Sequence, residues 1–191
     1  MLRDIIISKV RVKLLVEFLA DPTQMIHVRD MVRRTGEEIN AVRRELAHME
    51  GSGLVKKEPR GNRVYYWFRK DCLMFGDLVS LVAKEDGLGG AIIKNRGKLG
   101  KVMFAMMSGK FLRRLPPKEG DVDLLIVGDI VLPELAVLVR NEESKRGNEI
   151  NYTVMSEEEF KFRKTRRDPF LLGILFQSRV MLLGDEQELV G

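Results

Sequence analysis

Cysteine is nearly absent from this 191-residue sequence, with Cys72 standing alone. A single thiol excludes an intramolecular disulfide and any zinc site built on several cysteines. Histidine is almost as scarce, and His27 and His48 lie far apart in the chain, which leaves no paired set of soft metal ligands. No apolar run approaches the ~20 residues that a transmembrane helix needs. The Met-Leu-Arg-Asp start and its short apolar stretch carry no small-residue cleavage site, so neither a signal peptide nor a membrane span is expected. A cytoplasmic location is the default expectation. Internal repeats and low-complexity tracts are also lacking.

Apolar residues make up 45% of the chain, enough for packed cores. The formal charge is +5, and its distribution is uneven. Residues 1–70 hold fifteen Lys/Arg against nine Asp/Glu, and residues 71–191 hold eighteen against nineteen. The basic excess therefore lies in the first third, which suits a polyanionic partner because neutralised phosphates release counterions.

The N-terminal pattern predicts three helices and a hairpin. Residues 8–20 place apolar side chains at helical spacing behind Ser8 as N-cap. A second helix is expected over 26–34. Thr35 to Glu38 reads as a capping box opening a third helix to about Glu50. That helix puts Ile39, Val42, Leu46 and Met49 on one face and Asn40, Arg44 and His48 on another. Residues 54–58 and 63–68 are expected strands, joined by a tip at 59–62. A further apolar helix is expected over 71–85. The run 86–90 holds three glycines in four residues and reads as the domain boundary, giving domains 1–86 and 87–191.

Three helices followed by a hairpin is the order of a winged helix-turn-helix, in which the third helix enters the major groove and the wing touches the backbone. Asn40 and Arg44 are of types that pair bidentately with adenine and guanine, with Arg43 beside them. Lys56, Lys57, Arg60 and Arg63 lie on or near the wing, where basic side chains grip phosphates, and Arg33 and Arg34 are candidates for further backbone contacts. The alternative readings are a solvated basic surface and a protein-interaction module. The segments "HVRDMVRRTG" and "EEINAVRRELAHMEGSGLVKKEPRGNRVYYWF", with the apolar helix after them, resemble ArsR-type winged-helix transcriptional regulators. That resemblance implies double-stranded DNA as partner and a homodimer, with 71–85 as candidate pairing helix. The thiolate metal sensing found in that group is not expected with one cysteine.

After the boundary, strands are expected at 101–107, 121–127, 149–154 and 180–183. Helices are expected at 133–146, at 156–167 behind a second capping box, and around 170–176. Asp121 and Asp123 alternate to one face of their expected strand, where two carboxylates can share Mg²⁺. The Ser108-Gly109 turn offers backbone amides for a phosphate. Strand, glycine turn, Asp-x-Asp, helix and strand in that order resemble the small nucleotidyltransferase superfamily over residues 98–185. The resemblance implies Mg²⁺ and a nucleoside triphosphate, with Ser108, Gly109 and Lys110 at the nucleotide and Asp121 and Asp123 at the metal. Lys110 stands where that pattern has Ser, and Asn151 stands where it has a third acid. Glu149, two residues earlier, is the substitute candidate.

The expected fold class is thus α+β, an N-terminal winged helix-turn-helix followed by a small mixed-sheet α/β nucleotidyltransferase-like domain. With "DVDLLIVGD", "EINYTVMSEEEF" and "DPF", the two halves together resemble a group of prokaryotic transcriptional regulators. Two other functions remain open at this level. One is an active Mg²⁺-dependent nucleotidyltransferase acting on a protein, RNA or small molecule. The other is an antitoxin-type protein-interaction module.

Overall fold

The computed structural model describes residues 2–191. Its fold is α+β, and contacts divide the chain into two compact units, Met1–Glu85 and Asp86–Gly191. Among the described residues no helix is long and apolar enough to cross a membrane.

The first unit runs α1 (Leu2–Ile5), α2 (Lys9–Ala20), β1 (Ile26–His27), α3 (Val28–Thr35), α4 (Ile39–Gly51), β2 (Val55–Arg60), β3 (Arg63–Phe68) and α5 (Phe75–Glu85). Helix α2 begins where Ser8 accepts the Arg11 amide on its hydroxyl at 3.2 Å. It packs against α3, α4 and α5, and its residues Leu14, Leu15, Phe18 and Leu19 are buried. Phe68 joins the hairpin to this core, with its ring 6.2 Å from Phe18 and 6.1 Å from Phe75.

Three local expectations need correction. Residues 26 and 27 are strand, not helix, because β3 takes β1 as its second neighbour through Ile26–Tyr66 and His27–Tyr65. The cap of α4 is Glu38, whose carboxylate accepts the amides of Asn40 and Ala41. Thr35 is instead the last residue of α3, and its hydroxyl donates back to Met31 O at 2.7 Å. The chain turns between α3 and α4 at Gly36, whose φ of 66° is easiest for glycine. Glu38→Ala is therefore expected to cost about 1 kcal/mol, within the usual range for a lost N-cap; urea unfolding checks it. Finally, α5 starts at Phe75 because 72–75 form a hydrogen-bonded turn, with Phe75 N donating to Cys72 O.

Strands β2 and β3 pair antiparallel from Val55–Phe68 to Arg60–Arg63, so the tip is the two-residue turn Gly61-Asn62. This is shorter than the expected tip because Gly61, at φ 57°, takes the left-handed first position of a tight hairpin turn.

The second unit runs α6 (Gly87–Lys94), β4 (Gly100–Ser108), α7 (Gly109–Leu112), β5 (Leu124–Ile130), α8 (Leu132–Arg146), β6 (Tyr152–Met155), α9 (Glu157–Thr165), α10 (Pro169–Leu175), β7 (Arg179–Leu183) and α11 (Glu186–Val190). The sheet order is β6-β5-β4-β7. It is mixed, since β5 and β6 are parallel while β4 is antiparallel to both β5 and β7. Phe104, Met106, Leu125 and Val127 enter one cluster with Met155, Phe160, Leu171 and Ile174. Their neighbours Ala105, Met107, Leu124 and Ile126 are buried too, as expected for central strands covered on both faces.

The glycine run read as the domain boundary opens the second unit, and its glycines lie inside α6. Gly89 and Gly90 are buried there, and α6 packs on α8, so the missing side chains permit close approach instead of loosening the chain. Gly128, expected to end β5, lies inside it at a register shift opposite Val102–Phe104. Asp121 and Asp123, expected on that strand, precede it. Ser156 caps α9 as anticipated, accepting the Glu159 amide at 3.1 Å.

Candidate functional site

In the first unit, the buried stripe of α4 is Val42, Leu46 and Met49. Asn40, Arg43, Arg44, Ala47 and His48 are exposed on the rest of the helix. Neither Arg43 nor Arg44 has an ion-pair partner among the described residues. Beside them a cavity of about 330 Å³ is lined by His27, Arg29 and Ile39 on the helical side and Asn62, Val64 and Tyr66 on the hairpin. His27 and Asn62 were not singled out from sequence. His27 caps α3, accepting the Arg29 amide on Nδ1 at 3.3 Å, and its ring lies 5.4 Å from Tyr65.

The basic residues of the hairpin are unequal. Lys56 and Arg63 are exposed and lack an ion-pair partner among the described residues. Lys57 is held by Glu50 at 2.8 Å, and Arg60 by Glu58 at 2.8 Å. Arg60 also lies over the Tyr65 ring. The two arginines at the end of α3 are paired as well, Arg33 with Asp30 and Arg34 with Glu17.

In the second unit, Lys110, Asp121, Asp123, Glu149 and Asn151 all line one cavity of about 720 Å³. Ser108 and Gly109 are buried beside it. Gly109 donates its amide to Ser178 O at 2.7 Å, and a side chain there would meet Ser178 Oγ at 2.3 Å. Lys110 donates its amide to Ser108 Oγ at 3.2 Å. Both amides of the turn are thus committed within the protein.

The Lys110 ammonium donates to both Asp121 oxygens, at 2.9 and 3.2 Å, and Lys118 N adds a third bond at 2.9 Å. The Lys110 hydrogen bond chiefly holds the Asp121 carboxyl below its ordinary range. Asp123 accepts the Asn151 amide at 3.0 Å. Burial pushes the Asp123 carboxyl up, the Asn151 amide pulls against it, and the Asp121 charge adds to the rise.

A divalent cation at this donor set would have to displace the Lys110 ammonium from Asp121. Mg²⁺ needs charged oxygens turned toward it. One carboxylate here is already neutralised by an ammonium, and the other is half-buried with its ionised form disfavoured. Position 151 offers an amide, and Glu149 is exposed at the rim. Among the described residues no group of three or more His, Cys, Asp or Glu side chains is placed to hold a metal ion.

Arg146, at the end of α8, was missed in the sequence. Its Nε donates to Glu142 at 2.8 Å, and its guanidinium lies 3.9 Å from the centre of the Phe111 ring. Burial pulls its pKa down; Glu142 opposes that shift and the nearby Arg114 charge adds to it. Arg114 lines the same cavity and has φ 55°, in the left-handed region. The sequence signal was present: Leu135, Val139, Glu142 and Arg146 continue one helical stripe in which a charged pair follows two core residues.

Comparison of this chain with protein-family models, with curated proteins and with solved structures finds no match in any of the three.

Proposed function

We propose that this chain is a DNA-binding transcriptional regulator. The first unit acts as a winged helix-turn-helix, with α4 as the recognition helix and the β2–β3 hairpin as the wing. The second acts as a nucleotidyltransferase-like ligand sensor. The reading rests chiefly on the exposed face of α4, where Asn40, Arg43 and Arg44 stand together with neither arginine neutralised by a partner among the described residues. The sequence order of helices and hairpin and the basic excess in residues 1–70 support it. A homodimer is part of the proposal. Leu81 on α5, with Leu73 and Met74 just before that helix, supplies exposed apolar side chains for pairing.

Arg43, Arg44, Lys56 and Arg63 would neutralise about four phosphates per protomer if none read a base. Affinity of the homodimer for a mixed-sequence duplex, with about eight phosphates neutralised, should then fall on the order of ten-thousandfold between about 50 and 200 mM salt. Fluorescence anisotropy measures this. Lys56→Ala should weaken all duplexes alike and reduce the homodimer's salt slope by about two, one per protomer. Arg44→Ala should instead flatten base preference in selection from a random pool, by about 1–3 kcal/mol at one position. Lys57→Ala should matter less than Lys56→Ala, because Glu50 already holds Lys57. Absence of duplex affinity at low salt, or affinity indifferent to salt, would refute the reading.

A further inference from the structure

We propose that the cavity on the outer face of the β2–β3 hairpin binds a small, flat aromatic acid, with its ring against Trp67 and its anionic group at Lys56 and Lys70. The cavity measures about 390 Å³ and lies wholly within the first unit, apart from the sensor role proposed for the second. Strand alternation builds it. Tyr66 and Phe68 turn into the core of the unit, so Trp67 between them belongs to the opposite face of the sheet. Lys56 stands directly across from Trp67 in the antiparallel register and so shares that face. Pro22 and Met25, from the turn between α2 and β1, join the lining, as do Arg69, Lys70 and Asp71 just after β3.

The charged groups of this lining are Lys56, Arg69 and Lys70 against Asp71. Arg69 donates to both Asp71 oxygens, at 3.1 and 2.7 Å, so that cation and that carboxylate are spent on each other. The two lysines are exposed and have no ion-pair partner among the described residues. Two acids near the lining are committed elsewhere. Glu58, two residues along the same face of β2, is held by Arg60 at 2.8 Å. Asp21 accepts from Thr23 and Gln24. The lining thus carries an excess of positive charge, and its complement is an anion. Lysines at a rim supply charge but little fixed geometry, so the fit must come from the apolar side. Trp67 brings a half-buried indole into the lining, with the Met25 thioether and the Pro22 ring beside it. Flat rings gain from offset stacking on indole and from contact with sulfur. The volume falls in the range of small-molecule sites and accommodates a two-ring acid. Aromatic carboxylates and aryl phosphates share the required chemistry. Lys56 is also a phosphate contact in the regulator reading. On that reading, and resting on it, the acid competes with the duplex for Lys56 and acts as a releasing effector.

The test is titration of the full chain with naphthoate and with naphthyl phosphate, followed by calorimetry and by the indole N–H resonance of Trp67, the single tryptophan of the chain. Saturable binding of at least one probe, with that resonance shifting in step, is expected, and the tighter probe names the acid group. Naphthamide, which lacks the charge, should bind about tenfold more weakly than naphthoate, the usual scale for a lost charged hydrogen bond. Decalin carboxylate, which keeps the charge but is not flat, should also bind more weakly. Lys70→Met keeps the side-chain stem and removes the charge, so it should weaken the acid about threefold, as befits an exposed ion pair. Trp67→Leu should weaken it about tenfold; if that variant fails to fold, Lys70→Met at an exposed position still decides. No saturable binding of either probe, a Trp67 resonance that stays put, equal affinity for naphthamide or decalin carboxylate, or affinity unchanged in Lys70→Met would overturn the proposal. Duplex affinity is titrated separately, with and without the acid. Acid binding that leaves duplex affinity unchanged would overturn the effector role, whereas acid binding by a chain with no duplex affinity would overturn the regulator reading alone.

Discussion

Replacing Gly128 by alanine should strongly destabilise the 86–191 unit. Gly128 sits within β5 at φ 146°, in the region that side chains rarely adopt. A Cβ there would meet Lys101 O at 2.1 Å, Met103 N at 3.1 Å and Lys101 C at 3.2 Å. All three are backbone atoms of the partner strand, so no side-chain rotation relieves the clash. Either β4 and β5 separate locally or the register shift between Val102 and Phe104 is remodelled. Overpacking costs about 1–3 kcal/mol, and a strained backbone about as much again. Against a total stability of about 5–15 kcal/mol, that is a large fraction. A drop of at least about 10 °C in melting temperature is expected. Gly173→Ala is the control. Gly173 lies in α10 with nothing within 4 Å of its Cβ position, so alanine should be neutral or stabilise by about 0.5–1 kcal/mol. Equal melting of the two variants would show that β5 tolerates a side chain at 128.

The contrast between these glycines marks where the sequence was legible. Periodicity located α2 and α4, each of which buries a stripe at helical spacing, while a first-turn proline located α8 and a capping box located α9, which buries Phe160 alone. It failed where a tertiary partner overrode a local rule. Thr35 and Glu38 fit a capping box, yet the Thr35 hydroxyl is drawn back to Met31 O and Glu38 caps α4 alone. Glycines 87, 89 and 90 look out of place inside any element, yet the approach of α8 makes them useful inside a helix. Gly128 looks like a strand end, but at a bulge a glycine is what lets the strand continue.

The candidate sites divide similarly. Residues on the outer face of α4 are readable because exposure there follows from the buried stripe opposite. Pairing is not readable: nothing in the order of Lys56 and Lys57 tells that one meets Glu50 and the other does not. The five chemistry-bearing residues around Asp121 do converge on one cavity, though the two acids lie ahead of β5, not on it. That Lys110 folds onto Asp121 depends on the short α7 turn across eleven residues, a distance at which sequence spacing alone specifies no contact. Arg146 was overlooked because arginine near a helix C-terminus normally reads as solvated charge favoured by the helix dipole.

Glu142→Ala should be among the most damaging single substitutions outside the apolar core. The Glu142 and Arg146 side chains are 9% and 11% exposed, so each relies on the other to offset lost hydration. Removing the carboxylate leaves a buried guanidinium next to Arg114, which already disfavours its charge. Breaking such a pair costs about 3–5 kcal/mol, whereas exchanging both members for apolar side chains is often neutral. The double variant Glu142→Met with Arg146→Met should therefore recover most of the stability that Glu142→Ala loses. Urea unfolding of the three proteins reads this out. A loss below about 1 kcal/mol in Glu142→Ala would mean that water reaches the pair.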